Sequence, residues 1–252
     1  MDANDTRRRS RREFLEIAGA VAAGVTLAGI PLMARVAASA AGPGMKIGII
    51  GSGRIGGTLG GLWVKAGHEV MLSARNLDPV QKLAASLGPM AHTGTPKEAA
   101  AFGEVVLISV PYGALPQLGR ELADDLKGKV VLDTCNPNPG RDGDMAVAAR
   151  AKGTGVASAE YLPGVRLVRA FNSVGSGALR SEAHRTGDKV AVPLAADDEA
   201  ALKIAIQLVQ DAGFEPVVVG PLARAKEFDT GTAVYGKALT AGELRRGLGI
   251  AP

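Results

Sequence analysis

A glycine-rich turn carries the clearest chemical signal in the sequence. Residues 51–56 read Gly51-Ser52-Gly53-Arg54-Ile55-Gly56, a G-x-G-x-x-G pattern. The pattern alone is weak because the chain has 34 glycines, but here it follows a short apolar run and opens a helical one, the context of a phosphate-binding turn. We expect Gly51 to permit a tight turn, Gly53 to let a diphosphate approach the backbone, and Gly56 to let helix and strand pack closely. The alternative is a glycine turn with a purely structural role.

The end of the second apolar run indicates which dinucleotide binds. It reads Met71-Leu72-Ser73-Ala74-Arg75-Asn76 and lacks the acidic residue that usually holds the ribose hydroxyls of NAD. A carboxylate about 4 Å from a 2′-phosphate would cost about 4 kcal/mol at an effective dielectric near 20. Arg75 instead offers paired donors to that phosphate, with Ser73 and Asn76 as helpers. We therefore predict NADP(H) rather than NAD, against the alternative that Arg75 is a solvated surface residue.

Three further loops follow predicted strands and are expected to border the same ligand. They read Ser109-Val110-Pro111-Tyr112, Thr134-Cys135-Asn136-Pro137 and Phe171-Asn172-Ser173. Pro111 fixes a turn, and Tyr112 is a candidate to flank a nicotinamide ring. Asn136 and Asn172 are candidates for ligand binding, with loop capping an equal alternative.

The elements that position these residues alternate between strand and helix. The predicted strands are Met45–Ile50, Glu69–Ser73, Glu104–Val110, Lys129–Asp133, Arg166–Phe171, Lys189–Ala195 and Glu215–Val219. The predicted helices are Gly56–Ala66, Pro79–Leu87, Leu115–Leu126, Met145–Lys152 and Asp198–Ala212, the last with Asp197 as its N-cap. Continuous Val/Ile/Leu strands separated by helices predict an α/β fold with a doubly wound parallel sheet, the NAD(P)-binding Rossmann type. We place this domain at residues 45–175 and a small α/β extension at 176–252.

Composition narrows the classes of function. With 46% hydrophobic and 21% charged residues, the chain is of ordinary globular type. One cysteine, Cys135, rules out an intrachain disulfide framework, and three histidines far apart without ligand spacing argue against a zinc site. Residues 1–40 hold six of the 29 basic and four of the 25 acidic residues, which leaves 23 and 21 in the remainder. This near-neutral body argues against nucleic-acid binding.

The first forty residues have the layout of an export signal. Arginines at 7–9, 11 and 12 precede an uncharged run from Ile17 to Ala34, and Ala38-Ser39-Ala40 is a small-residue cleavage pattern. Ser10-Arg11-Arg12-Glu13-Phe14-Leu15 resembles the twin-arginine (Tat) motif. We expect export through the Tat translocon to a periplasmic or other extracytoplasmic location. An uncleaved membrane tether is the alternative, although three glycines and Pro31 weaken the run.

From Met45 to about Asp229 the chain resembles the NADPH-dependent reductases of the deazaflavin coenzyme F420. The matching segments are MKIGIIGSGRIGG, GHEVMLSARN, VVLISVPYGAL, VRAFNSVG, VPLAADDEAALK and AGFEPVVVGPLARAKEFD. The resemblance implies hydride transfer between NADPH and a deazaflavin-like acceptor. It also implies NADP contacts at Ser52, Gly53, Arg54, Ile55, Arg75 and near Val110-Pro111. Such chemistry belongs to the two cofactors, so no catalytic residue is predicted.

The sequence departs from the family in three places. Ala74-Arg75-Asn76 stands where relatives often carry Ser-Arg-Arg, Tyr112 stands where a tryptophan is common, and residues 230–252 do not match the usual tail. That tail is a candidate for the acceptor pocket or for a homodimer contact. A dehydrogenase with an appended helical domain is disfavoured, because only 80 residues follow Asn172 and they include strands. A non-catalytic NADP sensor, or a reductase of flavin or ferric iron, remains an alternative.

Overall fold

The computed structural model describes residues 44–251. The predicted signal peptide at 1–40 lies outside these residues. Pro43–Pro252 forms one compact unit. Within the described part of the chain, no helix combines the length and apolarity needed to cross a membrane.

Eight strands form one sheet. They are β1 Lys46–Ile50, β2 Glu69–Ser73, β3 Ala91–Gly94, β4 Val105–Ile108, β5 Val130–Asp133, β6 Arg166–Arg169, β7 Ala191–Ala196 and β8 Glu215–Gly220. Their order across the sheet is β3-β2-β1-β4-β5-β6-β7-β8. The chain first builds outward from β1 to β3 and then returns to place β4 on the other side of β1. This reversal confirms the predicted doubly wound α/β fold and leaves a crevice between the ends of β1 and β4.

The sheet is not wholly parallel, which corrects one prediction. The first six strands in chain order are parallel, but β7 pairs antiparallel with β6 through Val168–Ala196 and Arg169–Ala195. The segment between β6 and β7 enters β7 at the same edge of the sheet where β6 ends, so the two strands are joined without a crossover connection. β8 is parallel to β7. Residues after 175 therefore extend the same sheet rather than forming a separate one.

Helices cover both faces of the sheet. They are α1 Arg54–Lys65, α2 Asp78–Leu87, α3 Pro96–Phe102, α4 Leu115–Glu121, α5 Ala123–Leu126, α6 Pro139–Asp142, α7 Asp144–Lys152, α8 Thr154–Tyr161, α9 Ser176–Ser181, α10 Glu199–Asp211 and α11 Ala241–Leu248. Two 3₁₀ segments, Tyr112–Ala114 and Leu222–Phe228, complete the described elements.

The elements absent from the prediction are short, with four to eight residues each. β3 reads AHTG, with one β-branched residue in four, and it was missed together with α3, α6, α8, α9 and α11. The predicted helix over 115–126 is two helices, α4 and α5, because Leu122 leaves helical geometry at φ −112°. Asp198, not Asp197, caps α10 by accepting from the amide of Ala201 at 2.8 Å. Asp197 instead accepts from the amide of Leu222 at 2.8 Å.

The core lies where the apolar strands meet the helices. Every residue of β4 and β5 is buried, as expected for strands covered on both faces. Trp63 of α1 is fully buried, and its indole N–H donates to the carbonyl of Leu208 in α10 at 2.8 Å. Trp63 therefore packs in the core. It also ties α1, which opens at the glycine turn, to the second half of the chain.

Candidate functional site

The glycine turn has a geometry that only glycine tolerates. Gly51 has φ +98°, and a Cβ there would overlap the carbonyl oxygen of Ser109. The amides of Gly51 and Ser52 both donate to the carbonyl of Ser73, at 3.0 and 2.9 Å. A Cβ at Gly56 would overlap the carbonyl oxygen of Gly51. The end of β2 therefore holds the turn, and α1 packs closely against it.

The start of α1 is open to a ligand. Gly53 is the N-cap residue, supplies no side-chain cap, and is followed by no acidic residue in the first turn. The first-turn amides of a helix have no partner within the helix and carry partial positive charge. A Cβ built on Gly53 would meet no atom within 4 Å, so free space lies above it. The Ser52 hydroxyl is buried without a hydrogen-bond partner among the described residues.

These features fit a bound diphosphate. Such a group accepts hydrogen bonds from uncapped amides, is attracted to the positive end of a helix, and occupies space that a side chain would otherwise take. An unpartnered buried hydroxyl gains a partner when that space is filled. Arg54, exposed at the first position of α1, adds a cation beside it.

The turn opens into a cleft of about 580 Å³ at the carboxyl ends of β1, β4, β5 and β6. Its lining consists of Gly53, Arg54, Ile55, Ser109, Val110, Pro111, Thr134, Cys135, Asn136, Arg141, Phe171, Asn172, Ser173, Val174, Gly175, Ser176, Tyr235 and Gly236. Among the residues that the structure describes, the lining contains two arginines and no carboxylate. The charge of the cleft therefore favours an anionic ligand.

Arg141 is held in place at the rim of the cleft. Its guanidinium donates to Asp142 at 2.8 and 2.7 Å and to the carbonyl of Asn136 at 2.9 Å. Asp142 also accepts from the amides of Asn138 and Gly113, at 2.9 and 3.2 Å. The Arg141 guanidinium first, then these amides, lower the pKa of Asp142 to about 2. The pair stays ionised at neutral pH and fixes the loop after β5.

The three residues predicted to choose between NADP and NAD occupy different environments. Arg75 is exposed just beyond β2 and lies outside the cleft lining. Asn76 is exposed, and its side-chain oxygen accepts from the amide of Asp78 at 3.2 Å. Ser73 is fully buried, and its hydroxyl donates to the carbonyl of Ile49 at 2.7 Å. Ser73 thus supports the turn, and Arg75 is the free cation at this position.

The placement of Tyr112 corrects the expectation that it flanks a nicotinamide ring. Val110 and Pro111 line the cleft, but Tyr112 is fully buried in the core and does not. Its ring meets the ring of Tyr161 edge-on, with centroids 6.2 Å apart. Burial raises the pKa of Tyr112 well above its ordinary value. The 3₁₀ turn that starts at Tyr112 directs the side chain inward, away from any ligand.

Cys135 lines the cleft with little exposure. It is 2% exposed, and its amide donates to Asp133 at 2.8 Å. Burial raises the pKa of the Cys135 thiol well above its usual range, so the reactive thiolate is disfavoured. Cys135 is therefore a small buried residue at the edge of the cleft.

A buried arginine that the sequence analysis did not single out lies under the floor of the cleft. Arg169, at the end of β6, is fully buried and pairs with Asp133 at 2.9 Å and with Asp229 at 3.3 Å. It also donates to the carbonyl of Cys135 and, at 2.8 Å, to the side-chain oxygen of Asn136. Burial alone would lower the pKa of Arg169, but the two carboxylates raise it above its ordinary value. Arg169 therefore remains charged and joins β5, β6 and the C-terminal segment.

Both predicted asparagines reach the cleft, and both also serve the fold. The Asn136 amide donates to the carbonyl of Asn172 at 2.8 Å and to the Tyr235 hydroxyl at 3.2 Å. Asn172 is 4% exposed, and its side-chain oxygen is buried without a partner among residues 44–251. The Asn136 side chain thus connects the loops that carry Asn172 and Tyr235, whereas the Asn172 side-chain oxygen can accept a hydrogen bond from a ligand.

Sequence reasoning did not name the cleft residues outside the glycine turn and its three loops, which are Arg141, Val174, Gly175, Ser176, Tyr235 and Gly236. Arg141 had a usable signal, because it lies four residues beyond a predicted loop that follows a strand. Tyr235 and Gly236 lie in the tail at 230–252, which was a candidate for the acceptor pocket without either residue being named. They belong to a segment without regular elements between Phe228 and Ala241, and they reach the cleft because the amide of Gly236 donates to the carbonyl of Ser173 at 2.8 Å.

Comparisons with known proteins agree with this geometry. Residues 46–137 match the family model described as NADP oxidoreductase, coenzyme F420-dependent. The chain is 28% identical over 196 residues to the F420-dependent NADP reductase of Methanothermobacter thermautotrophicus, covering 72% of this chain and 84% of that protein. It is 29% identical over 188 residues to the metalloreductase STEAP3 of Rattus norvegicus, covering 73% of this chain. The chain spans only 36% of the length of STEAP3.

Solved structures share the fold. A hypothetical protein from Sinorhizobium meliloti superposes with a TM-score of 0.68 at 22% identity, covering 78% of this chain and 95% of that one. A protein from Arthrobacter sp. FB24 described as an F420-dependent NADP-reductase gives 0.60 at 24% identity, covering 73% and 88%. A pyrroline-5-carboxylate reductase from Coxiella burnetii gives 0.52 at 18%, covering 71% and 59%. These solved structures show that the chain has a Rossmann fold, and residues 46–137 are similar to a family of NADP oxidoreductases.

Proposed function

We propose that the protein binds NADP(H) in the cleft and transfers a hydride between NADPH and a deazaflavin such as coenzyme F420, or an acceptor of similar shape. The observation that carries the proposal is the uncapped start of α1, with open space above Gly53 at the point where the strand order reverses. Ligands of doubly wound sheets bind at that point. When bound, NADPH supplies the hydride, so the protein need contribute only position, shape and charge.

Different residues would bind the diphosphate, bind the 2′-phosphate and exclude water from the rings. The first-turn amides and the Ser52 hydroxyl would donate hydrogen bonds to the diphosphate, and Arg54 would offset its charge. Arg75 lies beyond β2, where the adenosine 2′-phosphate would need a cation. Ile55, Val110 and Pro111 give the cleft an apolar wall beside the polar floor. Such a wall excludes water from two rings held face to face, which is what hydride transfer requires.

The choice of acceptor rests on the relatives. The match to the F420-dependent family and to an F420-dependent NADP reductase supports a deazaflavin. The match to a metalloreductase supports a second candidate, in which flavin or ferric iron receives the electrons. A non-catalytic NADP sensor is the third possibility. Hydride transfer requires no catalytic side chain, so the side chains of the cleft do not distinguish an enzyme from a sensor.

We further propose that the protein is exported through the Tat translocon, with cleavage near Ala40 or retention as a membrane tether. The Tat route moves folded proteins, so a dinucleotide loaded in the cytoplasm could travel in the cleft. The motif Ser10-Arg11-Arg12-Glu13-Phe14-Leu15 supports this proposal. We also propose a homodimer formed through residues 230–252. The support for it is that these residues depart from the family pattern.

One experiment separates the three candidate functions. Purified protein is titrated with NADPH by fluorescence, and the complex is then mixed in a stopped-flow instrument with a deazaflavin, a flavin or a ferric chelate while absorbance at the NADPH band is recorded. Fast oxidation by the deazaflavin supports the proposed reaction, and oxidation by the ferric chelate alone supports the second candidate. Tight binding without oxidation supports a sensor. Failure to bind NADPH overturns the proposal.

A glycine variant links the binding to the proposed site. Because no protein atom lies within 4 Å of a Cβ at Gly53, Gly53→Ala should leave the thermal midpoint unchanged. It should nevertheless weaken NADPH binding by about tenfold or more, since the methyl group takes the space assigned to the diphosphate, and tenfold corresponds to about 1.4 kcal/mol. Gly177→Ala, also without close neighbours, is the control. Equal affinity of parent and Gly53→Ala would place the nucleotide elsewhere.

A further inference from the structure

Tyr235 brings a phenol into the cleft from the segment between the second 3₁₀ turn and α11. It lines the cleft and is half-buried. Its amide donates to the carbonyl of Thr232 at 3.3 Å, and the next amide, that of Gly236, donates to Ser173 at 2.8 Å. The segment is therefore fastened across the mouth of the cleft at the residue that follows the tyrosine.

The direction of the hydrogen bonds around Tyr235 is fixed by donor chemistry. A guanidinium only donates, so the Asn136 side-chain atom 2.8 Å from Arg169 must be the oxygen. The Asn136 nitrogen then donates to two oxygens, the carbonyl of Asn172 at 2.8 Å and the Tyr235 hydroxyl at 3.2 Å. A carbonyl only accepts, which agrees with this assignment. The Tyr235 oxygen is therefore an acceptor toward the protein, and its own proton is left free.

That proton has no acceptor within hydrogen-bond distance among residues 44–251. Beside it, the Asn172 side-chain oxygen is buried and likewise lacks a partner within the described chain. The two residues are neighbours, because the Asn136 amide nitrogen donates both to the Tyr235 hydroxyl and to the backbone carbonyl of Asn172. Two neighbouring residues of the cleft lining thus carry one unused donor, on Tyr235, and one unused acceptor, on Asn172. Buried polar groups are almost always paired, so the Asn172 oxygen calls for a partner on a ligand.

The pair is also held rigidly. Arg169, fully buried between Asp133 and Asp229, fixes the Asn136 amide. Asp229 accepts from the amide of Thr154 at 2.9 Å, which anchors the start of the C-terminal segment. The Asn172 nitrogen donates to the carbonyl of Phe228 at 3.4 Å. A donor and an acceptor that do not move on binding discriminate more sharply between ligands than mobile groups do.

We propose that Tyr235 and Asn172 recognise the hydride acceptor by a carbonyl next to an N–H, the edge of a cyclic amide or imide. Tyr235 donates to the ring carbonyl or its neighbouring ring nitrogen, and the Asn172 oxygen accepts from the ring N–H. This inference rests on the proposed function and narrows its acceptor to heterocycles with that edge. A ferric chelate offers no such pair and is not recognised there. Asn136 is a positioning residue that directs the Tyr235 proton toward the cleft.

Equilibrium binding tests the inference without turnover. Parent protein and Tyr235→Phe are saturated with NADP⁺ and titrated with an oxidised deazaflavin or riboflavin, both of which carry the imide edge, following ligand fluorescence. Loss of one hydrogen bond should weaken ring binding about tenfold, while NADP⁺ affinity stays within about twofold. Tyr161→Phe, a tyrosine of the core outside the cleft lining, is the matched control and should change neither affinity.

Asn136→Asp gives an independent readout. The carboxylate only accepts, so it would draw the Tyr235 proton toward itself and away from the cleft. Ring binding should then fall as it does in Tyr235→Phe, although Tyr235 is unchanged. A substitution with a merely structural effect would lower the thermal midpoint without this selective loss.

Each outcome decides one proposal. If Tyr235→Phe binds the rings as tightly as the parent, or loses NADP⁺ affinity equally, the recognition inference is wrong. In the second case the tyrosine binds the nicotinamide carboxamide instead. If the parent binds neither NADP⁺ nor NADPH, the proposed function fails and the inference fails with it. Normal NADPH oxidation with no effect of either variant removes the inference alone.

Discussion

Arg75 illustrates how a single side chain can set the preference for a nucleotide. The carboxylate that would hold the ribose hydroxyls of NAD is absent from residues 71–76, and Arg75 is exposed and free of the cleft lining. The Ser73 hydroxyl is occupied by its bond to the carbonyl of Ile49, and the Asn76 oxygen by the bond from the amide of Asp78, which leaves the N–H groups of Asn76 as donors. If NADPH binds as proposed, Arg75 supplies the cationic contact that would discriminate between NADPH and NADH.

Arg75→Ala should weaken NADPH binding by about 1.5–3 kcal/mol, the scale of a hydrogen bond to a charged group. NADH affinity should not change, because NADH lacks the 2′-phosphate. Fluorescence titration of both nucleotides measures the difference. Arg120→Ala, an exposed arginine on α4, is the control. Equal affinity of the parent for NADH and NADPH would contradict this assignment.

Phe171 shows how one strained residue serves the site. It follows β6 with φ +58°, a conformation that side chains rarely adopt, and it is 1% exposed. Its ring is held edge-on by Trp63 and Phe214, with centroids 6.2 and 6.3 Å away. The core thereby maintains a backbone turn that brings Asn172 to the cleft. Strain of this kind is typical of functional loops whose surroundings fix them.

At the scale of elements, close backbone contacts hold the strands that end at the cleft. Gly48, in the middle of β1, lies against α3, where a Cβ would overlap the carbonyl oxygen of Ala99. β1 carries the glycine turn at its end, so the position of α3 bears on the position of the turn. This contact was not predicted, because α3 itself was not.

Gly48→Ala should destabilise the fold by about 1–3 kcal/mol, because the neighbouring backbone carbonyl cannot move aside as a side chain would. Urea denaturation of the purified protein measures the loss. Gly177→Ala in α9 meets no atom within 4 Å and should be neutral or slightly stabilising, since alanine favours helix more than glycine does. A stability unchanged by Gly48→Ala would show that β1 and α3 separate without cost.

The Arg141–Asp142 pair makes the loop after β5 sensitive to acid. The Arg141 guanidinium lowers the pKa of Asp142 in the folded protein to about 2, below the ordinary aspartate value of 3.8. A lowered folded pKa means that the ionised carboxylate stabilises the fold above about pH 4, and that this contribution is lost as pH falls from about 4 to about 2. Asp142→Asn should therefore lower the thermal midpoint at pH 7.

The same variant should approach the parent at low pH. The difference in midpoint between Asp142→Asn and the parent should shrink between pH 5 and pH 2, because the parent carboxyl becomes protonated there. Thermal unfolding monitored by circular dichroism at several pH values measures this trend. Asp124→Asn, an exposed carboxyl on α5, is the control. A constant difference across the range would show that the charge of Asp142 does not stabilise the loop.

At the scale of the whole molecule, the prediction concerns export, which depends on residues 1–40. If residues 1–40 act as a Tat signal, Arg11→Lys with Arg12→Lys should leave the precursor in the cytoplasm. Cell fractionation and mass spectrometry of the N-terminus measure this, with a mature start near Ala41 expected for the parent. Arg7→Lys with Arg8→Lys, which keeps the twin arginines, is the control. An unchanged distribution in the first variant would exclude the Tat route.

Local sequence determined the glycine turn, the buried strands and the free arginine beyond β2. Periodicity and positive-φ glycines act over a few residues, so Gly51, Gly53 and Gly56 could be assigned without knowledge of the fold.

Only the tertiary structure decided the far side of the cleft. Arg169 is a charged residue in a strand, and nothing near it in the sequence indicates that Asp133 and Asp229 neutralise it. Tyr235 lies 99 residues from Asn136, and the antiparallel turn into β7 sets the route by which its segment returns to the cleft. Pairings between distant segments depend on how the whole sheet closes its core, and periodicity within one segment does not encode them.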